Sequence, residues 1–487
     1  MPKHAIAAGC ALALCSGPAL ADLTAQDLWT DWQRIYAAMG TTMTADESYG
    51  GGTLTLSDIR TVALIEGVES TSSLGSIELV EQDDGTVRIV LPPSMVIATE
   101  TTVDGDTVAQ DVTLETEGWD AVVSEEGDAR IYDITADRMA YVFDDPEVPG
   151  ADAVSGSLDL LGLATTYTNT ETDGAFESVQ TSTAEAMTLD LSSEGEGETF
   201  SLAYALSDLT AGADVSLDLD AIGQDIKSLS DLNLLFALTF AHGGSTTELS
   251  ADSSDGPFAL SGTAGGGSMS VDLTPDGLGY SLSSTDAQLT VQVAAFPVPV
   301  SVSMSELSSA FALPMGVSDT PKPFAASLAW RDLEVDDAIW GLFDPTGQLP
   351  RDAATLVLDV TGTALMTTDI FSADAAEMAG PPGELKSLDL NALQLTIAGA
   401  ELLGNGALTF PVPGPIPQPV GTITLSLDGG LALIDKLVAL GFLPPEQAAM
   451  AKGMAGVVAR PVGEDQLESE IVFSEGGGIS ANGLPLQ

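Results

Sequence analysis

The 487 residues carry 14 Lys and Arg against 72 Asp and Glu, a formal net charge of −58. Charge of that sign repels polyanions, and the basic residues are scattered singly from Arg34 to Arg460, so nucleic acid is excluded as a partner. Intrinsic disorder is excluded as well, because 44% of the residues are hydrophobic and the mean hydropathy is positive.

Residues 1–21 have the tripartite shape of a secretory signal peptide. Lys3 is followed by the apolar run "AIAAGCALALC" and by Ala19-Leu20-Ala21 as a small-x-small cleavage site. Cleavage after Ala21 is expected, which places the mature protein in the periplasm and removes Cys10 and Cys15. Disulfides and thiolate metal sites are then not expected. Lipidation is disfavoured, since Cys10 has too little apolar segment ahead of it and Leu14 is too large to precede an acylated Cys15.

Residues 22–40, "DLTAQDLWTDWQRIYAAMG", read as one amphipathic helix. Thr24 and Asp27 have capping-box spacing, Leu28, Trp29, Trp32, Ile35, Tyr36 and Met39 share a face, and Gly40 is the stop. Such a stripe could meet an apolar ligand or a membrane surface; docking on the protein's own core is favoured.

From 41 to 304 the period changes to two. "TLTLSDI", "SIELVE", "TVRIVL", "ARIYDI", "TFSLAYAL", "DVSLDLD", "LGYSLSS" and "QLTVQV" alternate apolar residues with Ser, Thr, Asp or Glu, and turn clusters such as Asp83-Asp84-Gly85 separate many of them. One-sided strands without helical crossovers predict an antiparallel sheet. No segment reaches the ~18 apolar residues of a membrane span; "VQVAAFPVPVSVSM" at 291–304 is shorter and broken by Pro297 and Pro299.

A soft boundary near residue 305 opens a C-terminal β region, 305–487. It holds a short helix at 334–342, "EVDDAIWGL", and a helical hairpin at 431–459, with Gly441 closing the first helix and Pro444 or Pro445 starting the second. Between them "AIWGLFDPTGQLPRDAA" gathers Trp340, Asp344, Pro345, Gly347, Pro350 and Arg351. These read as a structural corner: a type I turn at 344–347, Trp340 as the apolar anchor ending the helix, and Arg351 in a buried pair with a carboxylate. The chain ends in strands around Gly476–Gly478 and a tight turn at Asn482-Gly483. The expected architecture is mainly β (α+β): an elongated, curved antiparallel sheet of many strands with an N-terminal helix and a C-terminal helical hairpin. A β-sandwich is the alternative.

No catalytic motif emerges. His242 is the only histidine left after signal removal, no G-x-S-x-G elbow accompanies it, and one imidazole without cysteine cannot fill a zinc shell. "GTAGGGS" at 262–268 lacks the lysine of a phosphate loop. "DLDAIG" at 218–223 starts like an EF-hand but has Ile222 at a ligand position and Leu229 at the closing one. Asp144, Asp145, Glu147 and Asp152 could hold a cation loosely, though a solvated loop is the simpler reading. Carboxylate pairs of the glycosidase kind arise everywhere in so acidic a chain. No catalytic residue, metal site or cofactor is therefore assigned, and the ligand-binding residues stay unknown.

The phrases "DLTAQDLWTDWQRIYAAMG", "IWGLFDPTGQLPRDAATLVLDVTG", "ALIDKLVALGFLPPEQAAM" and "GGGISANGLPLQ", in that order, resemble the bacterial family called domain of unknown function 2125 over essentially the whole mature chain. That resemblance implies an envelope location and brings no catalytic residues. Long alternating strands with "GNGALTF" and "ANGLPL" are more loosely similar to AsmA-like β-rich envelope proteins, which implies lipid handling; the membrane anchor of those proteins is missing here.

The leading expectation is a non-enzymatic periplasmic protein that binds an apolar, lipid-like ligand or an envelope partner along a sheet groove. Its inward residues would include Leu356, Leu358, Val360, Leu388, Leu390, Leu393 and Leu395, which would equally suit a closed core. The alternatives are an acidic structural or adhesive protein that binds cations, and a carboxylate-dependent hydrolase.

Overall fold

The computed structural model describes residues 23–38, 40–65, 68–103, 106–143, 153–172, 174–195, 198–218, 234–254, 256–296, 298–372, 380–412 and 417–486. Residues 1–21, which read as a signal peptide, Met39, Asp144, Asp145, Glu147, Asp152 and most of the "DLDAIG" stretch lie outside them.

The alternating sequence folds as expected: among the described residues 27 strands join in one antiparallel sheet, and 69% of those residues are in strands. The rows follow one another in near sequence order from Thr41–Gly50 to Leu484–Pro485. Among the described residues no pairing joins the first row to the last, and no second sheet faces it. The sandwich alternative is thereby replaced by a single open sheet. Roughly twenty rows at ~4.8 Å make it about 95 Å long. Residue 305 falls inside the strand Val300–Pro314, which pairs on both sides, so the sheet runs on without a break there.

Several runs that read as separate strands are halves of one. "TFSLAYAL" and the first five residues of "DVSLDLD" both belong to Thr199–Asp218, and "LGYSLSS" and "QLTVQV" both belong to Gly277–Val293. What separates the halves is a bulge. In Thr199–Asp218 the pairing steps from Leu209 to Ser207 and leaves out Asp208, with Glu185 left out opposite. The same step leaves Gly162 unpaired in Ala153–Thr172, and Asp286 opposite Ser305 further on. Asp58, Asp208, Asp286 and Asp332 have φ of 49–52°, a conformation that aspartate tolerates better than β-branched residues.

These bulges line up across the sheet. Where a row consists of two shorter strands, the break between them falls at the same level, at Gly243 beside Asp208 and at Gly265 beside Asp286. A Cβ on those glycines would lie 2.9 and 3.1 Å from the neighbouring Asp Oδ2. An acidic side chain thus lies over a glycine of the next row, and the seam forms a line of exposed carboxylates on the outer face. On the inner face the residues beside the seam are the most enclosed: Leu56, Ile59, Ala184, Leu206 and Leu209 are all buried. A bulge bends its strand, so a file of bulges creases the sheet lengthwise, with the apolar face inside the crease.

Each bulge also changes the parity of the strand. Inward residues of Thr199–Asp218 are Val215, Ala213, Ala211 and Leu209 on one side of Asp208, then Leu206, Tyr204, Leu202 and Phe200 on the other. The extra residue keeps apolar side chains on one face for all 20 positions.

Helix α1 (Ala25–Ala38) closes one end of this face. Its capping box is formed, with the Asp27 N–H donating to Thr24 Oγ1 (3.1 Å) and the Thr24 N–H to Asp27 Oδ2 (3.3 Å). Leu28 and Trp29 are fully buried against Leu54, Leu56, Leu79 and Val123, so the stripe docks on the protein's own core. Trp29 Nε1 donates to Glu47 (2.8 Å) and Trp32 Nε1 to the Tyr132 hydroxyl (3.2 Å), which satisfies the indoles as their rings leave water. Helix α2 (Asp337–Phe343) starts three residues later than its sequence pattern suggests. The hairpin consists of α3 (Gly430–Ala439) and α4 (Pro445–Val458). The left-handed Gly429 gives α3 no side-chain cap, and the Asp465 carboxylate accepts the Leu431 and Ala432 N–H groups instead, both at 2.9 Å.

Candidate ligand-binding groove

Cross-strand neighbours share a face, so the registers can be followed from strand to strand. One file runs Leu238, Val271, Tyr280, Phe311, Ala326, Val360, Leu390. Another runs Leu307, Trp330, Leu356, Leu395, Leu402, Leu427, Leu467. Every member of both files is apolar, and nothing polar interrupts them across seven strands. Leu356, Leu358, Val360, Leu388, Leu390, Leu393 and Leu395 all fall on this face, paired as Leu356 with Leu395, Leu358 with Leu393, Val360 with Leu390 and Gly362 with Leu388.

The face is not the interior of a closed core. Trp330 is 41% exposed, Leu395 38%, and Leu282, Phe311 and Leu358 37% each. Two bulges in the Gly383–Ile397 strand, at Asn391 and at Lys386, keep its leucines inward, and Asn391 Nδ2 turns outward to Asp359 Oδ1 (3.0 Å).

Under α1 the face deepens into a cavity of about 690 Å³, within the range that holds small ligands. Ile35, Trp119, Ile134, Met139, Leu163 and Phe176 make its apolar wall. Tyr132 and Tyr167 stack with centroids 4.1 Å apart beside it, and burial pushes both phenols above their ordinary range, so they stay neutral. The mouth is ionic. Arg34 pairs with Glu171 and Asp31, and Arg130 pairs with Asp31 (3.1 Å) and Glu125. A second hollow of about 600 Å³ lies across the seam, along the register Leu191, Leu202, Leu249, Leu260.

The six corner residues come together, but not as an apolar anchor with a buried ion pair. Asp344 is the buried member, at 0% exposure. Its carboxylate accepts the N–H groups of Leu349 (2.7 Å) and Gln348 (3.0 Å) and the Thr346 hydroxyl (3.3 Å). Those backbone donors hold its carboxyl below the ordinary range. The Gly347 N–H returns to the Asp344 carbonyl at 3.1 Å, closing the turn over Pro345, and Pro350 packs on Gly399. Trp340 lies in the middle of α2 and is only half-buried, with its ring against Phe343 and under the Arg351 guanidinium at 5.9 Å. Arg351 pairs with Asp337, and both are solvent-exposed, which corrects the expectation of a buried pair.

His242 ends the strand Leu235–His242, with its ring over Gly267 and 6.2 Å from Phe240. The "GTAGGGS" stretch is a strand connection. Among the described residues no three His, Cys, Asp or Glu side chains are grouped to hold a metal ion. The seam and the cavity under α1 escaped sequence reading. Their only trace is a parity change beside a lone Asp or Gly, which in one dimension looks like a turn between two strands.

An uncharacterised protein family conserved in bacteria, DUF2125, matches residues 238–486, from the strand that ends at His242 to the C-terminal tight turn. That is narrower than the whole-chain resemblance expected, and it leaves α1 and the first rows outside the match. No curated protein and no solved structure matches the chain, and the looser likeness to AsmA-like proteins has no support among these comparisons.

Proposed function

Starting from the fact that this chain belongs to the uncharacterised bacterial family DUF2125, we propose that it is a non-enzymatic periplasmic protein that holds a lipid-like ligand along the creased face of its sheet. The observation that carries this reading is the uninterrupted apolar register across seven strands on a face that, among the described residues, no second sheet covers. Exposed apolar surface costs roughly 25 cal/mol per Å² in water, and contiguous patches of more than a few hundred Å² mark binding sites. A chain-like apolar molecule suits a face of this kind, because it needs length and little polar recognition. The N-terminal residues 1–21 support export, and α1 supports a fixed end to the groove.

Gentle purification from the periplasmic fraction, followed by native mass spectrometry and solvent extraction, tests this reading. The expected result is a bound apolar species that Leu358→Asp together with Leu393→Asp removes while the circular dichroism spectrum stays that of the sheet. Recovery of no such species, together with no saturable binding of an uncharged alkyl probe, overturns it. N-terminal sequencing of the same sample should begin at Asp22.

A further inference from the structure

The ionic hollow that shares Arg34, Glu171 and Phe176 with the cavity under α1 gives that cavity a charged end, which constrains the ligand beyond being apolar. Four carboxylates, Asp31, Glu125, Asp128 and Glu171, surround two guanidinium groups, Arg34 and Arg130. Both arginines already face carboxylates: Arg34 has Glu171 and Asp31, and Arg130 has Asp31 and Glu125. An incoming carboxylate or phosphate would have to displace those partners and enter the field of a chain with net charge −58. An ammonium group meets four carboxylates against two guanidinium groups, three of those carboxylates being paired and Asp128 lying exposed at the rim. It finds surplus negative charge and the aromatic ring of Phe176 at the same mouth, and ring faces attract such cations.

We propose that the cavity of about 690 Å³ takes the alkyl chain of a single-chain amphiphile whose head is an ammonium group, held at the Asp31–Asp128–Glu171 mouth. The inference rests on the reading of the face as an apolar-ligand groove and adds charge selectivity to it. Trp119 lines the cavity wall and reports its occupancy by fluorescence.

The test compares three probes of equal chain length, dodecyltrimethylammonium, dodecanoate and dodecanol, each titrated below its micelle concentration into the mature chain. The ammonium probe should bind at least tenfold more tightly than dodecanoate, and the ratio should shrink as salt screens the mouth. Glu171→Gln, which leaves Arg34 with less negative company, should move the ratio toward dodecanoate. Asp128→Asn, at an exposed position in the same rim, should do so with the fold undisturbed. Equal or tighter binding of dodecanoate, or a ratio unchanged in both variants, overturns the ammonium preference. If dodecanol alone binds, the head-group inference fails while the groove reading stands. If none of the three binds, both fail.

Discussion

At Asp344 a carboxylate without exposed surface holds two backbone N–H groups and a hydroxyl, and the chain from α2 to the next strand is organised around it. Replacing it by Ala strands the buried Leu349 N–H, the costly half of a hydrogen-bond deletion. Asp344→Ala should therefore lower the melting temperature more than Trp340→Ala does, because the tryptophan keeps one side in water; a larger loss from Trp340→Ala would contradict this. The lowered carboxyl pKa gives the pH dependence its sign. The stabilisation is complete above the ordinary carboxylate range and fades as the pH falls through the lowered value of the folded state. In acid titrations followed by denaturant melts, the Asp344→Asn variant should lose less stability than the parent between neutral and acidic pH. The sequence shows the turn residues here, yet ranks Trp340 above Asp344. Burial of a small polar side chain depends on neighbours that the local pattern does not contain.

The strand with a central bulge is the repeating element of this molecule, and it makes a prediction that no single contact makes. Asp208→Val puts a β-branched residue at a left-handed φ and should cost about 1–2 kcal/mol, whereas Asp208→Gly should be nearly neutral. Deleting Asp208 altogether should be far worse, since a one-residue slip turns Leu206, Tyr204, Leu202 and Phe200 to the outer face. Expression yield and urea midpoints of the three variants check that order. Helix α1 depends on packing more than on its cap: Trp29→Ala should cost about 3–5 kcal/mol and Thr24→Ala about 1 kcal/mol. The helix was legible because capping box and apolar stripe agree over one local segment. The bulged strands were legible as β but not as continuous, because a change of parity and a turn look the same in sequence.

For the molecule as a whole, charge and openness act together. The seventy-two carboxylates of the chain repel one another, and ions screen that repulsion over about 10 Å at 0.1 M salt. The melting temperature should thus rise with sodium chloride and level off, and a flat or falling curve would show that the acidic surface does not oppose folding. By itself the sequence determined the β class, the antiparallel pairing, the N-terminal helix, the short helix and the helical hairpin, and the leucines that share a face, since each follows from periods of two or 3.6 read over a few residues. Only the tertiary structure decided that the sheet is open, that its strands are creased along one seam, and that a cavity beside an acidic hollow lies under α1. Those properties arise from which strand lies beside which, and residues such as Arg34 and Glu171, 137 positions apart, meet only once the rows are in register.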